Sequence, residues 1–519
     1  MLISTIDAAI LIVYCLSILF VGLYVSRTKK GETKSSGDYF LAGRGLPWWI
    51  IGASIISANI SAEQFIGMSG SGFAIGLGIA TYEWIAALGL MIVGKFFVPI
   101  FLKKKIYTMP QFLEQRFDGR VKSVMAFFWL LVFIFINLTS ILYLGALTVE
   151  KVMGVDLWVG IAFMALFAAI YSIYGGLKAV AVTDIIQVVF LIGGGVATTC
   201  IALNMLGGGD GMIAGFSNLK AQAQDKFHLI LDKSHPGYND LPGISVIIGG
   251  LWVANLYYWG CNQYIVQRAL AAKSVKEAQY GMIFAGFIKL LLPLLVVLPG
   301  IAAFALNAPL EKSDEAYPWL LTNILPVGLK GIALAALTAA IVSSLASMMN
   351  SISTIFTMDI YRAYFRKQAT EKELVTTGRW VCLISLLIAV ATAPLLSGLD
   401  QAFQYIQEFT GFISPGALSI FLAGFFYKRA TSSGALAAAA GTFVFSTLLK
   451  IVCPELPWMD RMGIVFILCC GLIVLLRNRK AADKNAINIP SGLFKTTPLF
   501  NVLSFVIIAI LVSFYVMWW

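Results

Sequence analysis

Apolar runs roughly 20 residues long recur from one end of this 519-residue chain to the other, and roughly 20 apolar residues is what a helix needs to cross bilayer hydrocarbon. Such a chain has few ways to fold. In lipid every backbone N–H and C=O must be satisfied internally, so the expected fold class is an all-α membrane protein. Hydrophobic residues make up 59% of the chain and charged residues 12%, with a mean hydropathy of +0.86; a water-soluble surface of that kind would aggregate. About 14 transmembrane helices are expected, near 6–25, 47–70, 77–102, 123–150, 156–174, 180–206, 242–263, 277–305, 330–361, 379–397, 402–427, 432–450, 459–476 and 499–517. The first run lacks a basic leader and a small-residue cleavage site, and its basic flank (Arg27, Lys29, Lys30, Lys34) follows it. It reads as a retained helix with its N-terminus outside, not a signal peptide.

The net charge of +11 could suggest a nucleic-acid partner. The distribution of charge argues against one. Only Lys151, Lys220, Lys226, Lys233, Lys312, Lys330, Lys450 and Arg461 fall in segments expected outside, Lys95 and Lys289 fall within spans, and the rest of the 37 basic residues fall in inner segments. That asymmetry is the positive-inside rule. It implies a multi-pass protein of the inner (cytoplasmic) membrane with both termini extracytoplasmic. The lipid bilayer is its expected partner, with no nucleic acid and no obligate protein partner evident. The seven cysteines lie mostly in apolar runs without metal spacing and read as small buried hydrophobes. His228 and His235 share one polar loop and read as solvated.

Polar residues inside the spans are concentrated. "SANISAEQFIGMSGSG" (57–72) places Asn59, Ser61, Glu63 and Gln64 before three glycines, and "LWVANLYYWGCNQYIVQR" (251–268) carries Asn255, Gly260, Asn262 and Gln263. Both read as interrupted helices, and each opens a block of five. The domain organisation expected is an extra helix and cytoplasmic loop (1–46), a first five-helix repeat (47–206), an extracytoplasmic loop with the character of a small lid (207–241), a second, inverted repeat (242–427) and three peripheral helices (428–519). Inverted repeats with broken first helices place binding sites at mid-membrane. Packing of small residues would explain the glycines. It would not explain Glu63, Gln64 and Glu83 in hydrocarbon, where a charged group costs about 2.5–3.5 kcal/mol on insertion scales.

Glu83 and Lys289 are a carboxylate and an ammonium, both within spans, which implies mutual compensation or a shared polar ligand. In "QAFQYIQEFTG" (401–411) Gln404 and Gln407 fall on adjacent turns, Phe403 and Gln407 share a face, and Glu408 turns elsewhere. Neutral donors and acceptors beside Tyr82, Tyr258, Trp259 and Phe403 suit an uncharged polyhydroxylated ligand. An anionic one would call for an unpaired Arg, and no Arg falls in the interior of an expected span, Arg379 and Arg461 lying at span ends. Ser343 and Ser344, with the carbonyls of Ser57, Ile60 and Ala340, would make an all-oxygen site suited to a hard monovalent cation. A serine bonded back to its own helix turn is the plainer alternative.

Over nearly all its length the sequence resembles the sodium:solute symporter family, and within it the bacterial sodium/sugar (glucose or galactose) cotransporters. "DYFLAGRGLPWW", "SANISAEQFIGMSGSG", "YSIYGGL", "GGLWVANLYYWGCNQYI", "AAIVSSLASMMNSISTIFTMDIY" and "FQYIQEFTG" carry the resemblance. It implies a leucine-transporter-type 5+5 inverted repeat and alternating access. It implies a sugar site of Asn59, Gln64, Glu83, Asn255, Lys289 and Gln407, closed from the cytoplasmic side by Tyr258. The co-transported Na+ would sit on Ser57, Ile60, Ala340, Ser343 and Ser344, with Asp184 near its inner exit. The family's known sugar sites carry a serine three residues after the matched glutamate; this chain has Ala86, one hydrogen bond fewer. Relatives proposed to couple a second sodium carry a hydroxyl where this chain has Ala346, which implies one sodium per sugar. The expectation is therefore a sodium-coupled importer of a neutral monosaccharide, with another small solute (amino acid, inositol, nucleoside or vitamin) as the alternative. An enzyme is disfavoured by the lack of HExxH, GxSxG or an intramembrane histidine. The broken helices favour an occluded site over a channel pore, and no soluble output domain suggests a sensor.

Overall fold

The computed structural model describes residues 4–25, 35–398, 401–479 and 483–519, with the side chains at 171–175 and 402 left aside. The basic flank Arg27–Lys34 lies outside the described residues. Those described form helices joined by short turns, with one isolated bridge between Leu46 and Ala272. Ten helices are long and apolar enough to cross a membrane, or eleven if Phe403–Thr410 and Ser414–Phe426, bent by 47°, count as one. The helices carrying the polar residues, Leu77–Lys104, Val275–Ala305 and Leu329–Phe365, are the most buried of these spans, whereas Thr5–Val25 and Pro498–Met517 present most of their surface outward. Burial of the polar helices is what lipid demands, because their side chains must find partners in protein.

The first interrupted helix breaks earlier than its glycines suggest. Trp48–Asn59 ends where Ile60 turns extended, and the chain resumes as a π-helical turn, Glu63–Met68, then Ser69–Ala74. Ser61 makes the break. Its N–H and hydroxyl both donate to Gln64 Oε1, at 3.0 and 3.1 Å, while its Oγ accepts the Glu63 N–H at 3.1 Å. The Ser61-x-x-Gln64 spacing is that of a capping box, which starts a helix rather than continuing one. The glycines that follow admit close neighbours. A Cβ on Gly67 would lie 2.7 Å from Phe403 Cβ.

The second interruption follows Gly250–Gly260, and the chain resumes at Gln263–Leu270, beyond the expected end at 263. Arg268, read from sequence as a loop residue, is thereby buried in the bundle. The expected helices 156–174 and 180–206 form one run, Leu157–Leu206, broken at Gly176 where φ is 65°.

The polar stretch after 206 forms the helix Gly211–Gln222 and then packs against the helices. Lys226 donates to the Ala74 carbonyl at 2.6 Å, and the Leu229 N–H donates to the Trp518 carbonyl at 2.8 Å. This segment therefore ties the end of the first broken helix to the last helix. Gly76, at φ 105°, is needed for this approach, since a Cβ there would sit 2.5 Å from the Lys226 carbonyl oxygen. The histidines are not merely solvated. His235 Nδ1 accepts the Gly237 N–H at 3.0 Å, and His228 Nδ1 lies 3.2 Å from the Trp519 carbonyl oxygen. All seven cysteines are free; Cys453 is exposed, and four of the others are fully buried.

Candidate functional site

The two breaks, the helix Thr81–Ile92, a π-helical turn and the bent pair converge on one cavity. Asn59, Glu63 and Gln64 come from the first break, Asn255, Tyr258 and Asn262 from the second, Tyr82, Glu83 and Ala86 from Thr81–Ile92, and Phe403 and Gln407 from the bent pair. Asn137 joins them from the π-helical turn Phe133–Leu138. Such turns re-aim side chains and recur at functional sites.

Glu83 and Lys289 compensate each other. The fully buried Lys289 ammonium donates to the Glu83 carboxylate and to Asn59 Oδ1, and its Nζ lies 5.0 Å from the Trp259 ring centroid. Lys289 thus stands behind Glu83 and Asn59 and is not part of the cavity wall, unlike the other expected sugar-site residues. Asn255 is held by its own helix: its amide donates to the Leu251 carbonyl at 3.1 Å, and its Oδ1 accepts Trp259 Nε1–H at 3.0 Å. Gln64 Oε1 is taken up by Ser61, so its amide nitrogen is the group left for the cavity. Tyr82 and Phe403 meet edge to face at 5.3 Å. The Tyr258 hydroxyl accepts from Asn59 Nδ2 at 2.8 Å and touches the Tyr264 hydroxyl. Glu408 turns away from the cavity, to Lys450 at 2.8 Å and Arg461 at 2.6 Å. Gln404 is buried with both amide atoms unpartnered and does not line the cavity.

A second polar cluster joins helix Leu329–Ile355 to the first break. Ser344 donates to the Ala58 carbonyl at 3.0 Å, and the Ser57 hydroxyl lies 3.2 Å from Ser343 Oγ and 3.3 Å from Gln187 Oε1. Neither serine bonds back to its own turn. A hydroxyl that has given its hydrogen to an acceptor still presents lone pairs to a cation. Because the helix ends at Asn59, the carbonyls of its last turn lack intrahelical partners. Ser57, Ile60, Ala340, Ser343 and Ser344 are all fully buried here, and their oxygens suit a hard monovalent ion.

Asp184 adjoins this cluster. It accepts hydrogen bonds from Ser343 and, at 2.5 Å, from Ser54. Its charge is balanced by Arg268, 3.6 Å away, which also donates to the Ser54 carbonyl at 2.9 Å and to Ser347. The expectation that no Arg enters a span is corrected here. The arginine is paired, so it offers no free site for an anion. Sequence reasoning missed Arg268 because the second broken helix runs on to Leu270, and missed Asn137 because one amide in an aromatic run carries little signal.

Residues 39–441 match the model of the sodium:solute symporter family. A sodium/glucose cotransporter of Vibrio parahaemolyticus is 51% identical over 99% of this chain and 98% of its own length. A sodium/myo-inositol cotransporter 2 of Oryctolagus cuniculus is 33% identical over 83% of this chain and 67% of its own. Among solved structures, a substrate-bound outward-open sodium-coupled sialic acid symporter superposes with a TM-score of 0.79 at 25% identity, covering 91% of this chain and 97% of that one. A nucleobase-cation-symport-1 family transporter superposes with a TM-score of 0.55 at 13% identity over 86% of this chain and 95% of its own, a likeness of fold alone. This chain belongs to the sodium:solute symporter family.

Proposed function

We propose that the protein imports a neutral monosaccharide of the glucose or galactose type together with Na+, one ion per sugar, by alternating access. The observation that carries this reading is the 51% identity to a sodium/glucose cotransporter over nearly the whole of both chains. The cavity supports it: Gln64, Glu83, Asn255 and Gln407 offer donors and acceptors beside the Tyr258 and Phe403 rings. Asn59 and Lys289 hold Glu83 in place. Sodium sits on Ser57, Ile60, Ala340, Ser343 and Ser344, with Asp184 on its path inward.

In this reading the bundle has 14 spans in the inner membrane, with both termini outside, and the segments 47–206 and 242–427 are the inverted repeats. The lid 207–241 and the Tyr82–Phe403 contact close the outer side, and Tyr258 closes the inner side. Uptake of labelled glucose and galactose into proteoliposomes under an inward sodium gradient tests the proposal. Saturable, sodium-dependent accumulation is expected; equal uptake with and without sodium sinks it. A second reading, import of a cyclic polyol, is favoured by the sodium/myo-inositol relative and by the hydroxyl missing at Ala86. Competition by myo-inositol in the same assay separates the two.

A further inference from the structure

The cavity holds one more carboxylate than it has cations. Glu83 is matched by Lys289, whose ammonium is also bound by Asn59. Glu63 lines the same cavity, and its buried Oε1 has no hydrogen-bond partner. Arg268, also buried in the bundle, is committed to Asp184, Ser54 and Ser347. A second acceptor, Asn262 Oδ1, also lines the cavity buried and unpartnered. The Tyr258 and Tyr264 hydroxyls are engaged with each other.

An unpaired carboxylate in a low-dielectric site is expensive; it is relieved by taking up a proton or by meeting a cation, and a cation here must come with the ligand. A neutral sugar supplies hydroxyl donors but no charge. An ammonium supplies three donors and a positive charge on one atom, which answers both a bare carboxylate oxygen and a bare amide oxygen. We propose that Glu63 is a cation-pairing position, and that the cavity accepts amino sugars bearing a free ammonium in addition to neutral hexoses. The inference rests on the sugar-transport reading of this cavity, and adds to it a charge selectivity set by a residue outside the expected sugar site.

The test is equilibrium binding of labelled glucosamine and glucose to the purified full-length protein in sodium, at about pH 6.5, where an amine of ordinary basicity is charged. N-acetylglucosamine serves as the uncharged control. Glucosamine is expected to bind at least as tightly as glucose and more tightly than its N-acetyl form. In Glu63→Gln the ratio of glucosamine to glucose affinity should fall by roughly tenfold to hundredfold, the range for a hydrogen bond to a charged group. Wild-type binding of N-acetylglucosamine that matches or exceeds glucosamine overturns the proposal without any variant, as does a ratio that Glu63→Gln leaves unchanged. Glucose uptake in proteoliposomes is measured separately. Loss of that uptake with glucosamine selectivity intact faults the glucose-transport reading, and the converse faults the ammonium pairing.

Discussion

Lys289 gives its ammonium to Glu83 and to Asn59, so that one buried cation joins three separate helical segments at the edge of the cavity. The sequence places Lys289 more than 200 positions from both partners, and each alone in lipid is unfavourable. Held together they fix the Glu83 carboxylate without consuming the cavity, because Lys289 approaches from behind.

Loss of one member of that pair should therefore differ from loss of a neutral cavity residue. Gln64→Ala and Gln407→Ala are expected to weaken sugar affinity by roughly tenfold to hundredfold with little change in thermal stability. Glu83→Ala leaves Lys289 buried and unmatched, and is expected to cost about 3–5 kcal/mol of stability as well. Sugar binding and melting of the purified variants, measured in parallel, check this. Wild-type affinity in both glutamine variants would remove them from the site.

The Asp184–Arg268 pair makes a similar prediction away from the cavity. Arg268→Ala should destabilise the protein by about 3–5 kcal/mol, since it strands a buried carboxylate. Asp184→Asn combined with Arg268→Met should recover much of that loss. A melting temperature for the double variant no higher than that of Arg268→Ala argues against charge compensation as the reason for the pair.

The lid carries a pH dependence. Burial pushes the His235 imidazole below its ordinary value, and the ammonium of nearby Lys226 and the ring of His228 add to that, with Asp225 opposing. The folded lid thus prefers neutral His235, whose Nδ1 accepts the Gly237 N–H. A depressed histidine contributes stability above its unfolded value of about 6.5, and that contribution is lost as pH falls through the folded value. Hydrogen-exchange protection over residues 223–243, corrected for the intrinsic exchange rate at each pH, should fall between about pH 7 and about pH 5, and His235→Asn, which keeps an acceptor but cannot titrate, should flatten the change. Identical pH profiles for the two proteins would remove His235 as the cause.

Sodium and membrane potential together should drive accumulation. One charge crossing 100 mV supplies about 2.3 kcal/mol, and a tenfold sodium gradient about 1.4 kcal/mol. Their sum supports an accumulation of several hundredfold at one ion per sugar. Accumulation driven by a proton gradient without sodium contradicts this.

Much of this architecture was legible in the chain. The spans announce themselves because lipid permits so few structures, and both breaks are marked by polar residues that lipid would otherwise reject. Boundaries were less legible. The glycines at 67, 70 and 72 follow the break and pack against neighbours; the break itself sits at Ile60 and Ser61, where a capping-box spacing ends the helix. The pairing of Glu83 with Lys289 could be guessed from two lone charges. The pairing of Asp184 with Arg268 could not, since it depends on how far the second broken helix continues. Asn137 required the fold, because only the π-helical turn aims it inward.

Coupling between the two sites is the centre of the account. Ser344 donates to the Ala58 carbonyl of the first broken helix at 3.0 Å, and the next residue, Asn59, faces the cavity. An ion bound by Ser343, Ser344 and the carbonyls of Ser57 and Ile60 would hold helix Leu329–Ile355 against the break that presents Asn59 and Gln64 to sugar. Each ligand must then raise the affinity of the other by the same factor. The most direct measurement is sugar affinity across a sodium titration, in the wild type and in Ser344→Ala. Sodium is expected to tighten sugar binding in the wild type, with a much smaller effect and a higher half-maximal sodium concentration in the variant. If Ser344→Ala shows the wild-type sodium dependence, the ion does not bind at Ser344 and the coupling does not run through this contact.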